Sequence, residues 1–97
     1  MSAGSGDAQH LRQTFAAEFR FLEAYQQFLT GIPLAETYRL FDAALAMAPW
    51  NDSLRARIFA QYSYFALSER DPSRRAGMMR RAEALYAGNP VRQAPVN

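Results

Sequence analysis

The residues that could carry out acid–base or nucleophilic chemistry are few in this chain. His10 is the only histidine and there is no cysteine, which excludes a Cys–His nucleophile and a cluster of such metal ligands. We expect His10, close to the amino terminus, to be solvated. Glu18 falls at helical spacing among apolar residues, so we expect it at the open end of the core, with an arginine as a candidate partner. With no phosphate-binding glycine motif, the sequence predicts no catalytic residue, metal or cofactor, and no enzyme.

Arginine is the other residue type that could recognise a ligand, since all eleven basic residues are arginines. Residues 1–54 carry three arginines and six acidic residues, whereas residues 55–97 carry eight arginines and three acidic residues. A cluster in the second part could bind anions such as phosphate: Arg74, Arg75, Arg80 and Arg81. The aromatic residues that would stack on bases occur at core spacing instead. A solvated basic helix face is therefore favoured, and binding of nucleic acid or of anionic lipid is the alternative.

Glycine and proline divide the chain into four segments with helical periodicity. The breaks are Gly31–Pro33, Pro49–Asp52, Asp71–Ser73 and Gly88–Pro90. Gly31 suits a left-handed helix end, Pro33 a first helical turn, and Asp71 an amino-terminal cap. Short connections make neighbouring helices antiparallel. We therefore predict an all-α fold of four antiparallel helices in two helix–turn–helix hairpins, over residues 9–87, with a flexible leader at 1–8 and a flexible tail at 88–97.

The apolar residues predict which face of each helix is buried. The first helix, expected over about Gln9–Leu29, has an unusually wide apolar arc, and we expect it to pack on two sides. One face carries Leu11, Phe15, Phe19, Leu22 and Leu29, and this face is extended sideways by Phe21, Tyr25 and Phe28. The second helix has a single stripe of Leu34, Tyr38, Phe41, Leu45 and Ala48. The third has Leu54, Ile58 and Phe65, with Tyr62 beside them.

Over a unit of about 34 residues that begins at Glu18, the chain resembles the tetratricopeptide repeat family. The residues that carry the resemblance are the aromatic positions Phe21, Phe28 and Phe41, the small residue Ala44 and the closing Pro49. Tyr25 and Thr37 depart from the pattern, since the family prefers small residues there. A second unit, from Asp52, matches only in outline. The resemblance implies stacked helical hairpins that bind a peptide or helix of a partner protein.

The resemblance also implies where a partner would bind, in a groove lined by the first helix of each unit. The polar contacts would be Arg20, Gln27, Arg55, Arg57 and Gln61, with Tyr25, Phe59 and Tyr62 as apolar contacts where they are not core. Trp50, after the second break, would either fill the seam between hairpins or anchor a partner. We therefore expect a scaffold module. The alternatives are a basic nucleic-acid-binding domain and a structural or dimerising tail of a larger bacterial protein.

The sequence carries little information about location. No apolar run approaches the roughly 20 residues of a membrane span, and the first residues lack the pattern of a signal peptide. The absence of cysteine fits a reducing compartment. We expect a cytoplasmic protein, with a soluble domain of an envelope protein as the alternative.

Overall fold

The structure, a computed structural model, describes the backbone of residues 2–87 and the side chains of residues 7–87. The described part consists of four α-helices without a strand, which confirms the all-α prediction. The helices are α1 (Ser2–Thr30), α2 (Leu34–Met47), α3 (Asp52–Ser68) and α4 (Pro72–Ala87). The predicted tail at 88–97 and the break at Gly88–Pro90 lie outside the described residues.

The helices pack in consecutive pairs, as predicted. Hairpin 1 contains α1, α2 and the connection up to Asn51, and hairpin 2 contains α3 and α4. Helix α1 begins at Ser2, ahead of the start expected near Gln9. No proline lies between these two residues, so every backbone amide of the stretch can donate a helical hydrogen bond.

Gly31 ends α1 by adopting the left-handed conformation that the sequence predicted, with φ 106°. Its amide donates to the carbonyl of Phe28 (3.0 Å), and the amide of Ile32 donates to the carbonyl of Gln27 (3.4 Å). This pair of bonds is a Schellman motif, which satisfies carbonyls that the last turn leaves without helical partners. Pro33 takes the cap position before α2 rather than a place in its first turn.

Asp71 begins α4, as predicted. Its Oδ2 accepts a hydrogen bond from the amide of Arg74 (2.8 Å), and Pro72 is the first helical residue. Arg75, in the first turn of α4, contacts the connection between α3 and α4. Its Nε donates to the carbonyl of Glu69 (2.8 Å) and its Nη2 donates to the carbonyl of Arg70 (3.1 Å). These carbonyls follow the end of α3, so Arg75 supplies donors to groups that α3 itself does not pair.

Hairpin 1 is built around two aromatic rings. Phe21 of α1 and Phe41 of α2 approach to 5.0 Å between ring centroids and are both buried. Ala17 and Ala24 share the buried face of α1 with Phe21, and such small side chains let two helix backbones approach closely. The predicted stripe on α2 is confirmed for its buried members Tyr38, Phe41, Leu45 and Ala48.

Hairpin 2 has its own core. The predicted stripe of α3 is buried, as are a neighbouring alanine and one alanine of α4; the set is Leu54, Ile58, Tyr62, Phe65, Ala66 and Ala82. Phe59 of α3 packs on Tyr86 of α4 with ring centroids 4.6 Å apart. Each hairpin therefore has aromatic contacts between its own two helices, which hold the pair together.

We predict that enlarging Ala17 destabilises hairpin 1. Ala17 is fully buried, so the extra methyl groups of Ala17→Leu have no space and should cost about 1–3 kcal/mol of unfolding free energy. Urea unfolding followed by circular dichroism measures this loss. Ala46→Leu, on the exposed face of α2, is the control and should change stability by less than about 0.5 kcal/mol. Equal effects of the two substitutions would contradict the packing described.

Candidate interaction surface

A row of large apolar side chains lies exposed along α1. The row, called here the α1 stripe, contains Leu11, Phe15, Phe19, Leu22 and Leu29. Each of these side chains is between 54% and 64% exposed. Isolated exposed apolar residues are common on proteins, but a contiguous row of this kind is typical of a contact surface.

The stripe corrects the prediction that this face of α1 is core. Helix α1 has two apolar faces, and α2 packs against the other one, through Phe21. With 3.6 residues per turn, Ala17, Phe21 and Ala24 fall on one side of the helix, and Phe15, Phe19 and Leu22 point away from that side. The prediction was wrong because periodicity identifies an apolar face but not the element that covers it.

The connection after α2 is fastened to the amino-terminal half of α1. The ring of Trp50 stacks on His10 with 4.1 Å between centroids, and its Nε1 donates to Thr14 Oγ1 (2.8 Å). Asn51 Nδ2 donates to Glu18 Oε2 (3.0 Å). Trp50 is thus held against α1 of its own hairpin, His10 is stacked rather than simply solvated, and Glu18 has an amide partner. These contacts hold α1 in place beside the stripe.

Charges are sparse along α1. The ionised side chains in its described part are those of Asp7, Arg12, Glu18, Arg20 and Glu23. Arg12 and Glu23 flank the stripe on one side, and Glu18 flanks it on the other. The helix therefore carries slightly more negative than positive charge, and the stripe is not bordered by a basic belt of the kind that attracts anionic membranes.

Two predicted partner-binding residues, Arg20 and Gln27, meet in a shallow groove between α1 and α2. The groove has a volume of about 270 Å³. Glu23 joins them at its polar wall, and its apolar part is formed by Ala24, Leu40, Ala43, Ala44 and Met47. Tyr25 is only half-buried, and its ring lies 6.2 Å from those of Phe21 and Phe28.

The predicted contacts in hairpin 2 are less accessible than expected. Arg55 is only 8% exposed, and its Nη1 donates to the carbonyl of Leu85 (3.2 Å) near the end of α4. Tyr62 is 1% exposed, and thus belongs to the core. The expectation that Arg55 is an exposed contact was wrong: the side chain is long enough to cross the hairpin, where the carboxyl end of a helix favours a cation. Arg57, Phe59 and Gln61 are half-buried.

Some of the clustered arginines already make contacts within hairpin 2. Arg75 donates to the carbonyls at the α3–α4 connection, and Arg81 lies over the ring of Tyr62, 5.9 Å from its centroid. Arg74 Nε lies 3.8 Å from Glu69 Oε2, and this ion pair leaves the arginine side chain mostly exposed. Arg74, Arg80 and Arg81 remain exposed.

Two kinds of site are not found among the described residues. No group of three or more histidine, cysteine, aspartate or glutamate side chains is placed to hold a metal ion. Likewise, none of the helices is both long and apolar enough to cross a membrane.

Comparison with known proteins gave no relative: the chain matches no protein-family model, no curated protein and no solved structure.

We predict that Arg55 stabilises hairpin 2. Arg55→Ala removes a charged donor to the Leu85 carbonyl and leaves space beside it, and should lower the unfolding free energy by about 2–3 kcal/mol. Chemical unfolding followed by circular dichroism measures the loss. The matched control is Arg80→Ala, which removes an exposed arginine of α4 and should change stability by less than about 0.5 kcal/mol. If Arg55→Ala were as stable as the original chain, Arg55 would not stabilise hairpin 2.

Proposed function

We propose that the chain is a non-enzymatic protein-interaction module that binds a helix or peptide of a partner protein along the α1 stripe. The observation that carries the proposal is the exposure of the five large apolar side chains of the stripe, each more than half accessible to water. Covering such surface is favourable by about 25 cal/mol per Å². A partner that covers the stripe therefore gains the same driving force that builds the core of each hairpin.

The form of the stripe favours a helix as partner. Phe15, Phe19, Leu22 and Leu29 lie along one narrow side of a single helix, with Gln26 in the same row. Rows of this kind fit between the side chains of a second helix laid along them. Polar neighbours such as Arg12 and Glu23 would border the contact, as they do in most interfaces.

The resemblance to the tetratricopeptide repeat family supports an interaction role. Three of the positions that carry it, Phe21, Phe41 and Ala44, are buried in hairpin 1, and Pro49 follows the end of α2. Repeat units of this family bury their outer faces against neighbouring units or caps. An apolar face left uncovered on α1 is in keeping with a unit that is completed by another protein.

The arginine cluster supports the nucleic-acid alternative less well. Two of its four members, Arg75 and Arg81, make contacts inside hairpin 2. A phosphate backbone would have to compete with these contacts for the guanidinium donors. The stripe on α1 has no such competitor on the same helix.

A photo-crosslinking amino acid at Gln26 tests the proposal in cells that express the chain. Gln26 lies in the row of the stripe and is exposed, so the group should form protein adducts of defined mass. Adducts should disappear when Phe19→Ser and Leu22→Ser are added, because the apolar contact is lost. The control is the same group at Arg80, on an exposed part of α4, which should give no such adducts. A second control, Arg20→Ala with Gln27→Ala, alters only the groove and should leave adducts in place.

Two results would contradict the proposal. The first is the absence of adducts from Gln26 in several independent preparations. The second is binding of the purified chain to vesicles of phosphatidylcholine and phosphatidylglycerol, lost with the same two serine substitutions, since the stripe would then be a membrane contact.

A further inference from the structure

We propose that the α1 stripe pairs with the α1 stripe of a second copy of the chain, and that the two helices run antiparallel. The inference rests on the proposed function, because it names the partner of the same surface. Three properties of the described residues lead to it: the spacing of side chains along the stripe, the charges beside it and the area that it exposes.

The spacing of side chains from Phe15 to Gln26, four, three and four residues, is the same in both directions. Phe15, Phe19, Leu22 and Leu29 follow the spacing of a coiled-coil seam, in which Gln26 takes the remaining place. In a helix that runs the opposite way, Phe19 of one copy faces Leu22 of the other, and Phe15 faces Gln26. The Phe19–Leu22 contact then forms twice about a two-fold axis at the centre of the stripe, which is the arrangement of a symmetric dimer.

The charges select the antiparallel direction. In a parallel pair, Arg12 would face Arg12 of the second copy across the seam, and Glu18 would lie beside Glu23 of the second copy, so like charges would repel on both sides. In the antiparallel pair, the same register places Arg12 level with Leu29 in the last turn of the second copy's α1, and far from the second copy's Arg12. That turn contains no basic residue of its own, and the carboxyl end of a helix attracts a cation.

The exposed area is sufficient for a weak but specific dimer. With roughly 100 Å² of accessible surface on each of the five side chains, two copies that covered the stripe completely would bury on the order of 1,000 Å² in total, near the lower limit for biological interfaces. The side chains are Leu and Phe, the types whose burial is most favourable. A concentration-dependent association is therefore expected.

Sedimentation velocity of the purified chain over a wide range of concentrations tests the dimer. The mass should rise with concentration from 11.0 kDa towards twice that value. Phe19→Ser with Leu22→Ser should raise the dimer dissociation constant at least about tenfold, while circular dichroism stays unchanged because both residues are exposed. The matched control is Tyr64→Ser with Leu67→Ser, which removes two residues of α3 that are 63% and 69% exposed and should leave the dimer intact.

Disulfide trapping tests whether the two α1 helices run antiparallel. Because the chain has no native cysteine, only the introduced cysteines can form disulfides. An oxidised mixture of the Phe15→Cys and Gln26→Cys variants should give a mixed disulfide dimer, because antiparallel pairing brings these two positions together. Neither variant alone should cross-link. Disulfide dimers of Gln26→Cys alone would show parallel pairing and overturn the inference.

The outcomes separate this inference from the proposed function. A chain that stays monomeric while Gln26 cross-links to a different protein overturns the second copy as partner and leaves the interaction role standing. A monomer without any adduct overturns both. A dimer that persists after the two serine substitutions in the stripe places the contact elsewhere and overturns the inference.

Discussion

The contact between the rings of Phe21 and Phe41 determines how α1 is rotated about its own axis, and the accessible surface of hairpin 1 depends on that rotation. The ring centroids lie 5.0 Å apart, and Ala17 and Ala24 lie on the same buried face of α1 as Phe21. Because a helix turns by a fixed angle at each residue, burial of this face leaves Phe15 and Phe19 in solvent. The exposure of the α1 stripe is thus a geometric consequence of core packing in the same helix.

Much of the fold could be predicted because its determinants are local. The left-handed Gly31, the cap at Asp71 and the break after Ala48 are each specified by residues within one turn of chain. The buried face of α2 could also be predicted, since that helix has a single apolar stripe. Helix α1 has two apolar faces, and local sequence does not indicate which of them a distant segment covers. That choice depends on how closely the backbones approach, and small side chains such as those of Ala17 and Ala24 allow a close approach.

The candidate site was only partly predictable for the same reason. The side chains of the stripe were identified as a common face but assigned to the core. Arg20 and Gln27 were expected on a binding surface and do share a groove. The resemblance implied that Arg55 contacts a partner, yet Arg55 is buried and donates to the backbone carbonyl of Leu85. A side-chain-to-backbone bond over such a sequence separation leaves no pattern in the amino-acid types.

The fluorescence of Trp50 can be used to follow the unfolding of hairpin 1. It is the only tryptophan in the chain, and its indole is stacked on His10 and bonded to Thr14, so its emission reports on the environment of hairpin 1. The described part of hairpin 2 contains tyrosine and phenylalanine but no tryptophan. Tryptophan emission therefore follows one half of the chain, while circular dichroism follows all four helices. Any separation between the two unfolding curves measures how far the halves melt independently.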